Sequence, residues 1–257
     1  MVSGKAGRIS IVPPDINAGE WDFSVRDGKI CYALSAIKSI GRNVILAMVR
    51  ERKENGAYTD LQNFLERMYG GELNKRAVEN LIKSGAMDCI EGNRRQKMEV
   101  YSSIMDELAR EQKHSMTGQY SLMDFLEGPQ KDDFKISFPK VPEYEPGALL
   151  AMEKEVLGIY ISGHPLEADR SLIEKNITAV SSDFIQDEET GMARVRDQAI
   201  VTVAGMIAAK TVKTTKTNQM MAFLTIEDLR GTLEVIVFPK DYEKYRAILS
   251  PDQKFLL

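Results

Sequence analysis

Ala36-Ile37-Lys38-Ser39-Ile40-Gly41-Arg42-Asn43 and Leu81-Ile82-Lys83-Ser84-Gly85-Ala86 are the two stretches whose reading decides the fold. The triplet Ile-Lys-Ser recurs between them at an offset of 45 residues, and each copy precedes a glycine. Around the first copy, Leu34, Ile37, Ile40, Val44, Ile45, Met48 and Val49 fall largely at helical spacing, and Gly41 interrupts them just before the polar pair Arg42-Asn43. Two helices joined by a tight turn explain residues 33–54 better than one. Further out, Leu61, Phe64 and Leu65 place a helix over 60–68 that Thr59 or Asp60 caps and Gly70-Gly71 ends. The next helix runs from about Asn74 to Lys83 and turns at Gly85, and a long one starts after Gly92-Asn93 and continues toward Lys113.

A helix, a glycine-containing corner and a second helix, met twice, have the form of a tandem helix-hairpin-helix. Gly41 is expected to take φ > 0, so that backbone amides and the positive end of the following helix dipole point outward together. A phosphate fits such a corner, and nearby cations add charge without reading bases. The candidate duplex-DNA residues are Lys38, Ser39, Gly41, Arg42 and Asn43 at the first corner, and Lys83, Ser84, Gly85, Ala86, Arg94 and Arg95 at the second. Ser39 stands where many such hairpins have a first glycine. An ordinary helical corner with solvated lysines is the alternative at each place.

Residues 1–29 are rich in turn formers, and the alternation Trp21-Asp22-Phe23-Ser24-Val25 predicts a short strand or hairpin there. Residues 115–148 carry four prolines and an acidic excess, which reads as a connector. Residues 149–197 return to helical pattern, with Ser162-Gly163-His164-Pro165 as a turn. From Ala199 the period becomes two, giving strands over 200–207, 221–226 and 233–238, then a short helix and the opening of a fourth strand at Phe255-Leu256-Leu257. That order is an OB-fold's, so residues 198–257 are expected to form one, incomplete because Leu257 precedes the strand that would close the barrel, and therefore loosely held. Lys210, Lys213 and Lys216 could follow a single strand's backbone, Phe223 could stack a base or sit in the core, and Arg230 lies at the next turn. The expected class is α+β and multidomain, with the all-α tandem hairpins over 30–114, the acidic connector, the helical segment and the incomplete OB-fold barrel.

The net charge of -4 is unevenly spread. Lys and Arg outnumber Asp and Glu by 18 to 16 over 1–114 and by 8 to 6 over 198–257, but are outnumbered 8 to 16 between. Two mildly basic ends can bind a polyanion locally, because attraction beyond about 10 Å is screened at ordinary salt. No stretch approaches the roughly 18 apolar residues of a membrane span, and Met1-Val2-Ser3-Gly4-Lys5 lacks a signal peptide's apolar core, so a cytoplasmic protein is expected. Cys31 and Cys89 lack metal-ligand spacing, His114 and His164 stand apart from other ligands, and no Walker loop, dinucleotide pattern or nucleophile elbow occurs. No catalytic residue, metal site or cofactor is expected in this chain.

Several fragments together resemble one family. They are the first corner, Pro13-Pro14-Asp15-Ile16-Asn17, Leu73-Asn74-Lys75-Arg76 through Ala86, Leu157-Gly158-Ile159-Tyr160-Ile161-Ser162-Gly163-His164-Pro165, and Met221-Ala222-Phe223-Leu224-Thr225-Ile226-Glu227-Asp228. The chain resembles, along almost its whole length, the alpha subunit of bacterial DNA polymerase III in the region that follows the fingers. The resemblance implies a tandem helix-hairpin-helix domain on the newly made duplex and an OB domain near the single-stranded template. It also implies an internal motif for the beta sliding clamp at Gln119, Leu122, Met123 and Phe125, with Met123 where an aromatic is usual. The remaining holoenzyme subunits would be further partners. The family's magnesium-holding palm carboxylates lie upstream of the region resembled, so the segment would not polymerise alone and magnesium belongs only to the complete enzyme. A polymerase-independent repair or accessory protein, or a protein-interaction scaffold without DNA binding, are the competing readings.

Overall fold

The computed structural model describes residues 10–117, 137–187, 190–251 and 253–257, and the chain divides into a helical unit ending at Gly163 and a strand unit over His164–Leu257. In the helical unit, β1 (Ile11–Val12), β2 (Ser24–Arg26) and β3 (Lys29–Cys31) form a small sheet in the order β1-β3-β2. Asp27 and Gly28, at φ 51° and 71°, make the two-residue turn that joins β2 to β3, as an Asp-Gly pair between short strands requires.

A single 3-10 turn over Leu34–Ala36 follows, then α1 (Arg42–Asn55), α2 (Leu61–Met68), α3 (Lys75–Lys83), α4 (Arg94–Thr117) and α5 (Pro146–Leu157). The first of the two helices expected over 33–54 is thus only that turn. Ile37 is already extended, and the amide of Lys38 donates to the Val156 carbonyl at 2.9 Å, so α5 takes the group a continuing helix would have used. Asp60 and Asn74 start α2 and α3 by accepting from the amides of Asn63 and Ala77 at 2.8 and 2.9 Å. Each such cap contributes about 1 kcal/mol. The apolar faces meet around Ile16, Leu34, Ile45, Met48, Phe64, Leu81 and Ile82, all buried.

The connector's later part is no free linker. Phe138 lies against Gly92, Gln96 donates to the Pro139 carbonyl at 2.8 Å, and Asn93 donates to the Val141 carbonyl at 3.1 Å. Residues 137–145 are a strap bound to the start of α4.

In the strand unit, α6 (Arg170–Asn176) precedes β4 (Ala204–Thr214), β5 (Met220–Glu227), β6 (Thr232–Val237), α7 (Pro239–Tyr245) and β7 (Lys254–Leu256). The sheet runs β6-β5-β4-β7 with every pair antiparallel, the strand–helix–strand order of an OB-fold. Ile200 is fully exposed and β4 starts later than the alternation predicts, because the Thr202 amide and carbonyl bond Thr178 instead of a neighbouring strand. Ile207, Ala222, Leu224, Ile226, Val237, Tyr242 and Leu249 make the core. The buried Asp228 carboxylate accepts from the amides of Ser181, Arg230 and Gly231 and from the Ser181 hydroxyl at 2.6–2.8 Å, which fixes the β5–β6 turn.

Lys97 in α4 is 0% exposed, and its ammonium donates to the carbonyls of Met87 and Ile90 at 2.8 and 3.0 Å. Burial pushes its pKa down. Lys97→Met keeps the length of the side chain but leaves both carbonyls unbonded, so a loss of about 1–3 kcal/mol is expected in denaturant unfolding at neutral pH. A Lys pKa that is lower folded than unfolded makes stability rise with pH between the two values. The parent should therefore gain on the variant as pH rises toward the unfolded value of about 10.4, and equal pH dependence in both would contradict this.

Candidate nucleic-acid interface

The first corner is open. Lys38, Ser39, Gly41, Arg42 and Asn43 are all exposed. Gly41 caps α1 with φ −67° and ψ 148°, no side chain bonds the cap, and the first turn holds no acid. The left-handed residue is Ser39, at φ 60°, and not Gly41 as the sequence suggested. Ser39 thus adopts the conformation its usual glycine supplies, at a cost of about 1–2 kcal/mol for a residue with a Cβ. Gly41 contributes space instead, since a Cβ there would meet only the Val44 methyl, 3.9 Å away.

Unbonded amides at the positive end of a helix dipole make a place for an anion. Arg42 adds its guanidinium, 5.5 Å from the ring centre of Trp21. Asn43 donates to Glu72 at 2.8 Å, which brings the loop before α3 beside the same corner. Lys38 is held on the other side, its ammonium donating to the Glu155 carbonyl at 2.8 Å and its own carbonyl accepting from Asn80 at 2.6 Å.

The second corner is closed. Ser84, Gly85 and Ala86 are buried, and their amides donate to the carbonyls of Asn80, Ile82 and Leu81 at 3.0–3.1 Å. Arg94 explains why. Its buried guanidinium fills the space over Gly85 and bonds Asp88 at 2.8 Å, Glu153 at 3.1 Å and the Lys83 carbonyl at 3.2 Å. Glu153 is itself 1% exposed and also accepts from the amides of Ile161 and Ser162. Lys83 is paired with Glu79 and Glu155 at 2.9 and 3.0 Å, and Arg95 with Glu99 at 3.5 Å.

The amides that open α4 are also taken. Glu143 of the strap accepts from Arg94 and Arg95 at 2.9 and 3.1 Å, and Asn93 accepts from Gln96 at 2.8 Å. Burial acts to raise the Glu143 pKa, but the amides of Arg94, Tyr144 and Arg95 outweigh it and hold the carboxyl below its ordinary range. A carboxylate of the chain therefore sits where a phosphate would. The expectation that Ser84, Gly85, Ala86 and Arg94 face outward is corrected by this packing. Neither Glu143 nor Glu153 could be paired with Arg94 from local sequence, since each lies about 50 or more residues downstream.

On the strand unit, β5 buries Ala222, Leu224 and Ile226 and turns Phe223 to the opposite face, where the Lys213 ammonium lies 4.8 Å from its ring centre. Ile236 of β6 is the cross-strand neighbour of Phe223 and is half exposed. Lys213, Phe223 and Ile236 thus come together on the outer face, with Lys216 exposed at the nearby β4–β5 tip. Lys210 points the other way and donates to the Leu249 carbonyl at 2.8 Å. Arg230 is exposed at the far end of β5, about 25 Å from Lys216 by strand length. Gln119, Leu122, Met123 and Phe125 lie outside the described residues.

Gly85 has φ 78° and an added side chain would collide with the Arg94 guanidinium. Gly85→Val should lower unfolding free energy by about 3 kcal/mol or more, combining left-handed strain with a disturbed buried ion pair. Circular dichroism during urea unfolding measures it, and a parent-like midpoint would contradict the closed corner.

A family model described as a helix-hairpin-helix motif matches residues 8–97, and one described as an OB-fold nucleic acid binding domain matches residues 201–256. The DNA polymerase III subunit alpha of Borreliella burgdorferi is 34% identical over 246 residues, 95% of this chain and 21% of that protein. Those of Treponema pallidum and Deinococcus radiodurans are each 34% identical, over 95% and 97% of this chain and 20% and 18% of their own lengths. The chain spans about one fifth of the length of these relatives. Over 95% of its length, then, the chain is homologous to DNA polymerase III subunit alpha, and it carries within that homology a helix-hairpin-helix domain and an OB-fold nucleic acid binding domain.

Proposed function

We propose that this chain is the DNA-gripping and clamp-binding segment of a bacterial replicative DNA polymerase, working in the cytoplasm. Homology and both nucleic-acid binding domains support a part in DNA replication through DNA binding. The observation that carries the finer reading is the exposed start of α1, which has no side-chain cap and no acid in its own first turn and bears Arg42, while α2, α3 and α4 are capped by the chain itself and α5, also without a side-chain cap, opens on Pro146.

In this reading, the Gly41, Arg42 and Asn43 amides and the Arg42 guanidinium hold one stretch of duplex backbone, independent of sequence. The outer face of the OB-fold takes the single-stranded template, with Phe223 offering a ring to a base and Lys213 and Lys216 meeting phosphates. Gln119, Leu122, Met123 and Phe125 supply the peptide that docks on the beta sliding clamp, one amide and three apolar anchors. Other holoenzyme subunits provide the remaining contacts. Nucleotide transfer and its magnesium belong to the rest of the polymerase, and this segment contributes position.

Anisotropy of a labelled primed duplex, titrated at two salt concentrations, tests the reading. Affinity should fall steeply with salt, and Arg42→Ala should weaken binding for all sequences alike while reducing the slope of log affinity against log salt by about 1. Absence of binding at low salt, or an unchanged slope in the variant, would overturn it.

A further inference from the structure

We infer that Trp21 is a positioning residue for duplex binding, its ring fixing the direction of the Arg42 guanidinium at the first turn of α1. The inference rests on the duplex-gripping role proposed above and adds to it a residue twenty positions before the corner, outside the hairpin itself.

Arg42 is the first residue of α1, where a cation meets the positive end of the dipole and is electrostatically disfavoured. Among the other arginines of this unit, Arg52, Arg67, Arg94 and Arg95 pair with carboxylates, Arg67 and Arg95 also lying over the rings of Tyr58 and Tyr144, while Arg26 and Arg110 donate to the carbonyls of Ala18 and Asp106. Arg42 is exposed, and its guanidinium carbon lies 5.5 Å from the centre of the Trp21 ring. This difference matters chemically. A carboxylate neutralises a guanidinium and takes up its N–H donors, whereas a ring in cation–π contact leaves it charged and still restricts the side chain's rotamers.

Trp21 is well placed to do this. It packs against the helical core, and its carbonyl accepts from the Ser35 amide at 3.2 Å, in the short turn that precedes the corner. Glu20, which precedes Trp21 in the chain, pairs with both Arg52 and Lys53 at 3.2 Å, and Glu72 accepts from the Asn43 side chain at 2.8 Å. The fold thus brings a cation to a positive helix end, sets it by a ring that does not neutralise it, and leaves its charge for an anion from outside.

Trp21 is the chain's single tryptophan, so the contact has its own optical readout. The experiment uses the whole chain and a fluorescein-labelled primed duplex, with the parent, Trp21→Leu, Trp21→Phe, Arg42→Ala and the Trp21→Leu/Arg42→Ala double variant, each checked for an unchanged melting transition. Trp21→Leu should weaken binding about three- to fivefold, Trp21→Phe should restore most of the loss, and the double variant should bind no worse than Arg42→Ala alone. In the parent, duplex should change Trp21 emission, and Arg42→Ala should remove that change. A purely structural Trp21 would give a loss that adds to that of Arg42→Ala, and additivity overturns the inference while leaving the duplex-binding reading intact. Parent-like affinity in a folded Trp21→Leu overturns it as well. If the parent binds no duplex, both fall together. Should Trp21→Leu fail to fold, the Trp21→Phe and Arg42→Ala pair with the emission measurement still decides, and unaltered parent emission on binding overturns the inference.

Discussion

What the structure of the helical unit turns on is where the amides at each helix start find their acceptors. A helix leaves its first N–H groups without an internal partner, and a folded chain must supply oxygens or leave the groups to solvent or a ligand. This chain supplies them with Asp60 at α2, with Asn74 at α3, and with Asn93 and Glu143 at α4, while α5 opens without a side-chain cap on Pro146, which has no N–H, and the Ala148 amide donates to the Glu145 carbonyl at 2.8 Å. At α1 it supplies Gly41, which has no side chain to offer, and sets Arg42 beside it. In the proposed reading, this asymmetry separates a corner used for folding from a corner left for a polyanion.

The same asymmetry explains why the repeated Ile-Lys-Ser triplet does not mean two equal grips. Both copies end against α5, through the Lys38 amide on Val156 and the Lys83 ammonium on Glu155. After the second copy, Arg94 enters the corner and is neutralised by Asp88 and Glu153, which turns Ser84 through Ala86 inward. Removing Glu153 would strand the buried Arg94 charge, so the closed corner is costly to open.

Much of this architecture was legible in the sequence. Periodicity placed α2, α3 and α4 and the three central strands, and Asp60, Gly70 and Gly85 marked the ends of helices because caps and left-handed turns use few residue types. What was not legible depended on partners distant in sequence. Ile37 leaves helix because Val156 takes the next amide, Ile200 lies outside the sheet because Thr178 bonds Thr202, and Arg94 is buried because Glu153 awaits it. At the site, Arg42 and Asn43 lie on the surface as the pattern suggested. Composition cannot tell a lysine that faces solvent from one such as Lys210, bonded to its own domain's backbone. Phe223 could be core or surface by alternation alone, and only its register with Thr211 and Ile236 placed it on the outer face with Lys213.

In the proposed reading the amides at the start of α1 meet phosphate, while those at the start of α4 are already held by Glu143. Amide nitrogen–proton spectra of the labelled chain, recorded as primed duplex is added at low salt, address both in one measurement. The Gly41, Arg42 and Asn43 resonances should move with saturable dependence on duplex, and the Arg94 and Arg95 resonances should stay in place. Movement at Arg94 and Arg95 with a silent first corner would contradict it.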